Sequence, residues 1–275
     1  MNQNIFQYSK EVFVDTVNPK DYVQLDRVSA IYHSLKKSVK KPLKMILLYG
    51  KPGTGKTMFL AKLYEEMKKR HSIYLYTTPI LDDSEFFKTL AKDIYDIKYS
   101  GELNFTQFMK IVNSHAEYNN KEEKATPIIL LDEAQLYSTQ QMEKIRLLAD
   151  TRRLKFVITL HKTEQEDVIA KEHFQTRIWE SIELINATQS ELKIYIQKKL
   201  MKENLFDTAN MFTNSNISLI YKLTDGNYRA TNKLLYNVFE IYQWYVKYEP
   251  SKIDYNSIKN KIIEMAAIHT GYIDA

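Results

Sequence analysis

The sequence predicts an α/β fold: a five-stranded parallel sheet covered by helices on both faces, followed by an all-helical C-terminal domain. Three observations carry that expectation. Short apolar runs alternate with segments of helical period from Lys44 to Ile185, and such alternation implies β-α-β crossovers and hence a parallel sheet. After Asn186 the runs that could be buried strands stop, and only helical periods remain. Three of the six glycines fall between positions 50 and 55, at the junction of the first strand and the helix behind it.

The elements follow in order. Residues 1–21 show no clear period and contain Pro19, so they read as an extended lead-in. "DRVSAIYHSLKKSVK" spaces Val28, Ile31 and Leu35 as one face of a helix that ends before Pro42. "KMILLYG" is a buried strand, a helix runs from about Lys56 to Lys69, and "SIYLY" is the second strand. Two helices are inserted next, "DSEFFKTLAKDIYDI", opened by an Asp/Ser cap, and "NFTQFMKIVNSHAEY". "TPIILLDEAQ" is the third strand, "STQQMEKIRLLADT" a helix and "KFVITLHK" the fourth strand. A helix through "TEQEDVIAKEHF" leads to the fifth strand, "SIELI". Four helical stretches then complete the chain: "TQSELKIYIQKKLMKEN", "NISLIYKLTDG", "YRATNKLLYNVFEIYQWYV" and "DYNSIKNKIIEMAAI". The expected domains are 1–187, the α/β domain with its lead-in, and 188–275, a helical domain.

Composition narrows the function classes. A hydrophobic fraction of 44% and a charged fraction of 27% are ordinary for a soluble globular protein. The absence of cysteine removes disulfides, thiol catalysis and zinc-thiolate sites. No apolar run approaches a membrane span and the N-terminus lacks a signal-peptide pattern, so a soluble, cytoplasmic protein with no direct membrane span is expected. A net charge of +5 with lysines spread along the chain does not by itself specify a nucleic-acid partner.

Gly50, Gly53, Gly55, Lys56 and Thr57 fit G-x-x-x-x-G-K-[ST], with a strand before and a helix after, as that motif requires. Glycines admit positive φ and bring successive N–H groups close to phosphate oxygens, and the helix N-terminus adds partial positive charge. Lys56 is expected on the β- and γ-phosphates and Thr57 on Mg²⁺. The ATP site is therefore assigned to Gly50, Lys51, Pro52, Gly53, Thr54, Gly55, Lys56, Thr57 and Met58.

"IILLDEAQ" places Asp132 at the carboxyl end of a parallel strand, where open α/β sheets bind ligands and where an aspartate can hold Mg²⁺. Glu133 beside it can deprotonate an attacking water, a base that small-molecule P-loop kinases do not need. The fourth strand ends "VITLHK", where either His161 or Thr159 can face the γ-phosphate or the water. Arg177 precedes the fifth strand, in position for an arginine finger, and Arg229 follows the turn at Gly226, in position for a lid arginine on the phosphates.

These stretches together resemble an AAA+ ATPase, with a P-loop NTPase αβα core and a C-terminal helical lid. "GKPGTGKT", "IILLDEAQ" with "EKIRLLAD", "TRIWESIEL" with "SELKIYIQKKL", and "GNYRATNKLL" are most similar to secretion ATPases of the general-secretion-pathway A (ExeA) and MSHA-pilus (MshM) type, which are related to TnsC-type transposition ATPases. The resemblance implies rings or filaments with ATP between subunits, Glu133 as catalytic base, His161 at the first sensor position, Arg177 as the finger and Arg229 at the second sensor. A histidine at the first sensor departs from the commoner Gln, Asn, Ser or Thr. So does the absence of the transmembrane and peptidoglycan-binding regions of the longer secretion proteins.

Two functions follow as expectations. One is an Mg²⁺-dependent ATPase that drives assembly or remodelling of a protein partner, such as a secretion or pilus machine. The other is an ATP-gated DNA-binding regulator of the transposition or replication-initiation type.

Overall fold

The computed structural model describes residues 4–119, 126–162, 178 and 180–274. Two compact units are present. One comprises Ser29–Pro52 and Lys56–Leu184, and the other Met1–Val28, Gly53–Gly55 and Ile185–Ala275.

The first unit is built on five parallel strands: β1 (Met45–Gly50), β2 (Ile73–Tyr76), β3 (Ile128–Leu131), β4 (Lys155–His161) and β5 (Glu180–Leu184). Their spatial order is β2-β3-β4-β1-β5, as expected for a sheet built from crossovers. β3 and the first six residues of β4 are buried, which is why these segments read as unbroken apolar runs. Register decides what meets at the carboxyl edge: Gly50 of β1 pairs with His161 of β4, and Leu131, the residue before Asp132, pairs with Ile158.

Around the sheet lie α2 (Asp26–Lys40), α3 (Lys56–Met67), α4 (Asp83–Tyr95), α5 (Phe105–Asn119) and α6 (Thr139–Asp150). Asp82 caps α4 by accepting from the Glu85 N–H at 2.8 Å, and Ser138 caps α6 by accepting from the Gln141 N–H at 3.1 Å. The Lys155 ammonium donates to the carbonyls of Val39 and Lys41 at the end of α2, and its burial lowers its pKa. Phe87 stacks on Phe108 at 5.2 Å, within a core that includes Ile129, Leu131, Phe156 and Ile158. The helix expected through "TEQEDVIAKEHF" lies outside the described residues, as does Arg177.

The second unit is helical: α1 (Ile5–Val12), α7 (Gln189–Lys202), α8 (Phe206–Asn210), α9 (Asn214–Thr224), α10 (Tyr228–Tyr248) and α11 (Asn260–Thr270). The extended lead-in expected for residues 1–21 is corrected here. Ile5–Val12 is a helix, Pro19–Asp21 is a single 3₁₀ turn, and Met1–Val28 group with the C-terminal helices instead of with the sheet. The cause is an apolar stripe at Phe6, Ser9 and Phe13, all buried, in which the small polar Ser9 masks the period. Phe6 stacks on Tyr242 at 4.7 Å, Phe13 on Phe239 at 5.8 Å, and the Ser9 hydroxyl donates to Thr208 Oγ1 at 3.3 Å.

Entry to α7 is fixed twice. Thr188 and Glu191 form a capping box, and Arg27 grips Glu191 in a bidentate pair, Nε to Oε1 at 2.8 Å and Nη2 to Oε2 at 2.7 Å. Entry to α10 depends on Gly226, whose φ is +68° and whose absent Cβ would collide with the backbone carbonyl of Ala187.

Candidate active site

The strand-turn-helix from β1 to α3 has the geometry its sequence demands. Gly53 and Gly55 have φ of +79° and +95°, a region that side chains rarely enter. A Cβ on Gly55 would meet nothing within 4 Å, so open space lies before the loop there, as a phosphate approaching bare backbone requires. A Cβ on Gly53 would instead collide with the Asn227 side chain and lie 2.9 Å from Cβ of Arg229, which groups with it in the helical unit. Lys56, 4% exposed, donates from its ammonium to the carbonyls of Gly50 at 2.9 Å and Lys51 at 3.0 Å. It is folded over the loop whose phosphate it is expected to meet.

Asp132 leaves β3 at the carboxyl edge, 2% exposed. The Thr159 hydroxyl donates to its Oδ1, and the Glu133 backbone N–H donates to the same oxygen at 3.1 Å. No hydrogen bond from the described residues falls on Oδ2. That leaves Oδ2 open to a cation or a water, and Thr57, at the first turn of α3, likewise keeps its hydroxyl out of hydrogen bonds with the described residues. Among the described residues no group of three or more His, Asp or Glu could hold a metal alone. The available donors, one hydroxyl and one carboxylate, fit the open Mg²⁺ shell that phosphates and water complete.

Glu133 has φ +52°, the left-handed region, at a cost on the order of 1 kcal/mol or more for a residue with a side chain. Its N–H also donates to Thr159 Oγ1 at 3.0 Å. Thr159 is fully buried, and its hydroxyl is thus used up in fixing the acidic pair. His161 has a different task. Its Nε2 lies 3.1 Å from Glu133 Oε1, and its Nδ1 lies 3.3 Å from Nε2 of Gln135. Gln135 also donates from Nε2 to Glu133 Oε2 and accepts the His161 N–H at Oε1, at 3.4 Å.

The structure therefore brings Asp132, Glu133, Thr159, His161 and the unanticipated Gln135 into one cluster. "DEAQ" contains Gln135, but the β3–β4 register that sets it against His161 is not a local signal. Arg229 stands at the second residue of α10, where its Nε donates to Asp15 Oδ2 at 3.0 Å; both side chains are more than half exposed.

Residues 40–168 match the family model for the AAA domain. No curated protein matches the chain. Among solved structures, Cdc6p from Pyrobaculum aerophilum superposes with a TM-score of 0.63 at 16% identity, over 94% of this chain and 70% of that one. ORC1 from Aeropyrum pernix, solved in complex with DNA, gives 0.62 at 16% identity, over 95% and 69%. RuvB from Thermotoga maritima gives 0.55 at 15% identity, over 89% and 67%. The fold is the P-loop AAA+ fold, a five-stranded parallel sheet with helices and a helical C-terminal region. The match to the AAA domain supports an ATPase.

Proposed function

We propose that the chain hydrolyses ATP with Glu133 as general base, and uses the cycle to drive assembly or remodelling of a partner. The observation that carries the reading is the fixing of Glu133. Its backbone is held on Thr159 and Asp132 while its carboxylate lies among His161 and Gln135 at the sheet edge where the phosphate loop begins. A base so placed serves a water nucleophile, and removing such a base typically costs 10²–10⁴-fold in rate.

Lys56 and the loop N–H groups would bind the phosphates. Thr57 and Asp132 Oδ2 would hold Mg²⁺, which supplies charge neutralisation at the β- and γ-phosphate oxygens. Glu133 takes the proton from the water, and His161, in contact with Oε1, orients the carboxylate and bears the first-sensor assignment. Arg229 is proposed as second sensor: an exposed pair such as Arg229–Asp15 is worth ~1 kcal/mol or less, so exchanging Asp15 for a phosphate costs little. Arg177 is proposed as a finger acting on a neighbouring subunit in a ring or filament. A secretion or pilus machine of the ExeA or MshM kind is the partner assigned on the sequence resemblance.

The test separates binding from turnover. Glu133→Gln should keep ATP bound while hydrolysis falls at least about 100-fold, and Lys56→Ala should lose the nucleotide. Undiminished hydrolysis in Glu133→Gln would remove the base assignment.

A second reading is favoured by one observation, the likeness in fold to an ORC1 solved on DNA. On it, the chain is an ATP-gated DNA-binding regulator. ATP-dependent, salt-sensitive retention of duplex DNA by Glu133→Gln would support it over a protein partner.

A further inference from the structure

The helical unit contains a cavity of about 480 Å³, within the range of small-molecule sites, and no residue of the candidate active site lines it. One wall is the N-terminal stretch from Tyr8 to Asp21, and the other is the end of α7 with the turn to Leu205. Lys199 lines it although it is nine-tenths buried. Its ammonium lies 5.4 Å from the Phe13 ring centre and 5.7 Å from that of Tyr195, and its hydrogen bond to Asn232 Oδ1 is long, 3.4 Å. Tyr195 shares that acceptor at 3.0 Å. No carboxylate of the described residues forms an ion pair with it.

A buried ammonium with three donors, one long hydrogen bond and two ring faces is under-satisfied, and a carboxylate is the group that would satisfy it. Burial of this charge depresses its proton affinity, an effect that the more distant carboxylates of Asp21 and Asp15 offset only in part, so an anion bound directly on the ammonium would recover free energy that folding has lost. The remaining lining sets the rest of the ligand. Val12 and Leu205 are apolar and half-buried. At the rim Glu11 and Glu203 are exposed, and with Asp21 they outnumber Lys199 and Lys202.

We propose that this cavity binds a small zwitterion of the ω-amino-acid class, with its carboxylate on Lys199, its methylenes along Val12 and Leu205, and its ammonium among the rim carboxylates. The site is independent of ATP hydrolysis, and its test uses the full chain without nucleotide.

Isothermal titration with 6-aminohexanoate, hexanoate and hexylamine reads each half of the ligand separately. Titrated to about 10 mM, 6-aminohexanoate should bind with a Kd of about 1 mM or tighter, hexanoate at least about tenfold weaker, and hexylamine not at all. Lys199→Met should weaken 6-aminohexanoate at least about tenfold. The pair Glu11→Gln and Glu203→Gln, both at the exposed rim, should reduce it to the level of hexanoate. Absence of binding to the native chain, equal binding to Lys199→Met, or hexylamine binding as tightly as the zwitterion would each overturn the proposal, and equal binding of hexanoate would overturn its cationic half. Circular dichroism of Lys199→Met keeps a folding defect distinct from loss of the site.

Discussion

Replacing Lys199 by methionine should stabilise the protein at neutral pH, against the usual direction for a change at a buried position. Burial, offset in part by the charges of Asp21 and Asp15 and reinforced by Lys202, pushes the Lys199 ammonium from 10.5 down to about 8. At roughly 1.4 kcal/mol for each factor of ten in proton affinity, holding the charge inside costs about 3 kcal/mol. The Phe13 and Tyr195 rings return on the order of 1 kcal/mol to the cation. Methionine keeps the length and apolar stem, so the net gain at pH 7 should be about 1–2 kcal/mol, or roughly 2–6 °C in melting midpoint. The pH dependence is the sharper assay. Below pH 8 both folded and unfolded lysine are protonated, and the penalty is constant. Between about 8 and 10.5 the unfolded chain binds more protons, so native stability climbs with pH by about 3 kcal/mol, and the advantage of the variant should shrink to zero and reverse within that window. Urea unfolding of both proteins at several pH values from 7 to 10.5 reads this directly. Parallel curves across that range, or a variant less stable at pH 7, would refute the reasoning.

Three further outcomes are expected. Thr159→Val should remove the hydroxyl that holds Asp132 and Glu133, lowering hydrolysis more than ATP affinity and costing about 1–3 kcal/mol of stability, whereas Thr159→Ser should restore both; steady-state turnover with nucleotide titration checks it. Gly226→Ala should force a Cβ into the Ala187 backbone at φ +68° and destabilise by at least about 2 kcal/mol, seen in thermal melts. Arg27→Met should cost about 1–3 kcal/mol at pH 7. The Arg27 hydrogen bond holds the Glu191 carboxyl below its usual range, so this stability is present above the unfolded carboxyl value and is lost as pH falls through the lower folded one; the variant should show a flatter acid limb.

The sheet and the phosphate loop were legible because their causes are local. Gly53 and Gly55 answer to their own φ, and "IILL" is apolar because β3 is buried on both faces. Asp132 and Glu133 follow from standing next after that run. What was not legible depends on pairing between distant residues. Gln135 meets His161 only through the register of β3 on β4, and the same register makes Thr159 a support for the acidic pair. Lys199 looks in "QKKLMKEN" like any solvated lysine, and only packing against Phe13 reveals its burial. The helix at Ile5–Val12 was hidden because Ser9 stands where an apolar residue would complete the stripe.

The placement of that first helix also sets an order of events during synthesis. Ser9 and Thr208, 199 positions apart, touch in the finished unit, and the ring of Phe6 waits for Tyr242. The α/β unit can close as soon as β5 has left the ribosome, because Leu184 is the last residue that groups with it. The helical unit cannot. Its earliest segment must remain unsatisfied, with two phenylalanines uncovered, until nearly the whole polypeptide has emerged, and contacts of such separation form slowly. A nascent chain paused within α10 would carry a closed sheet and, still uncovered, an aromatic first helix.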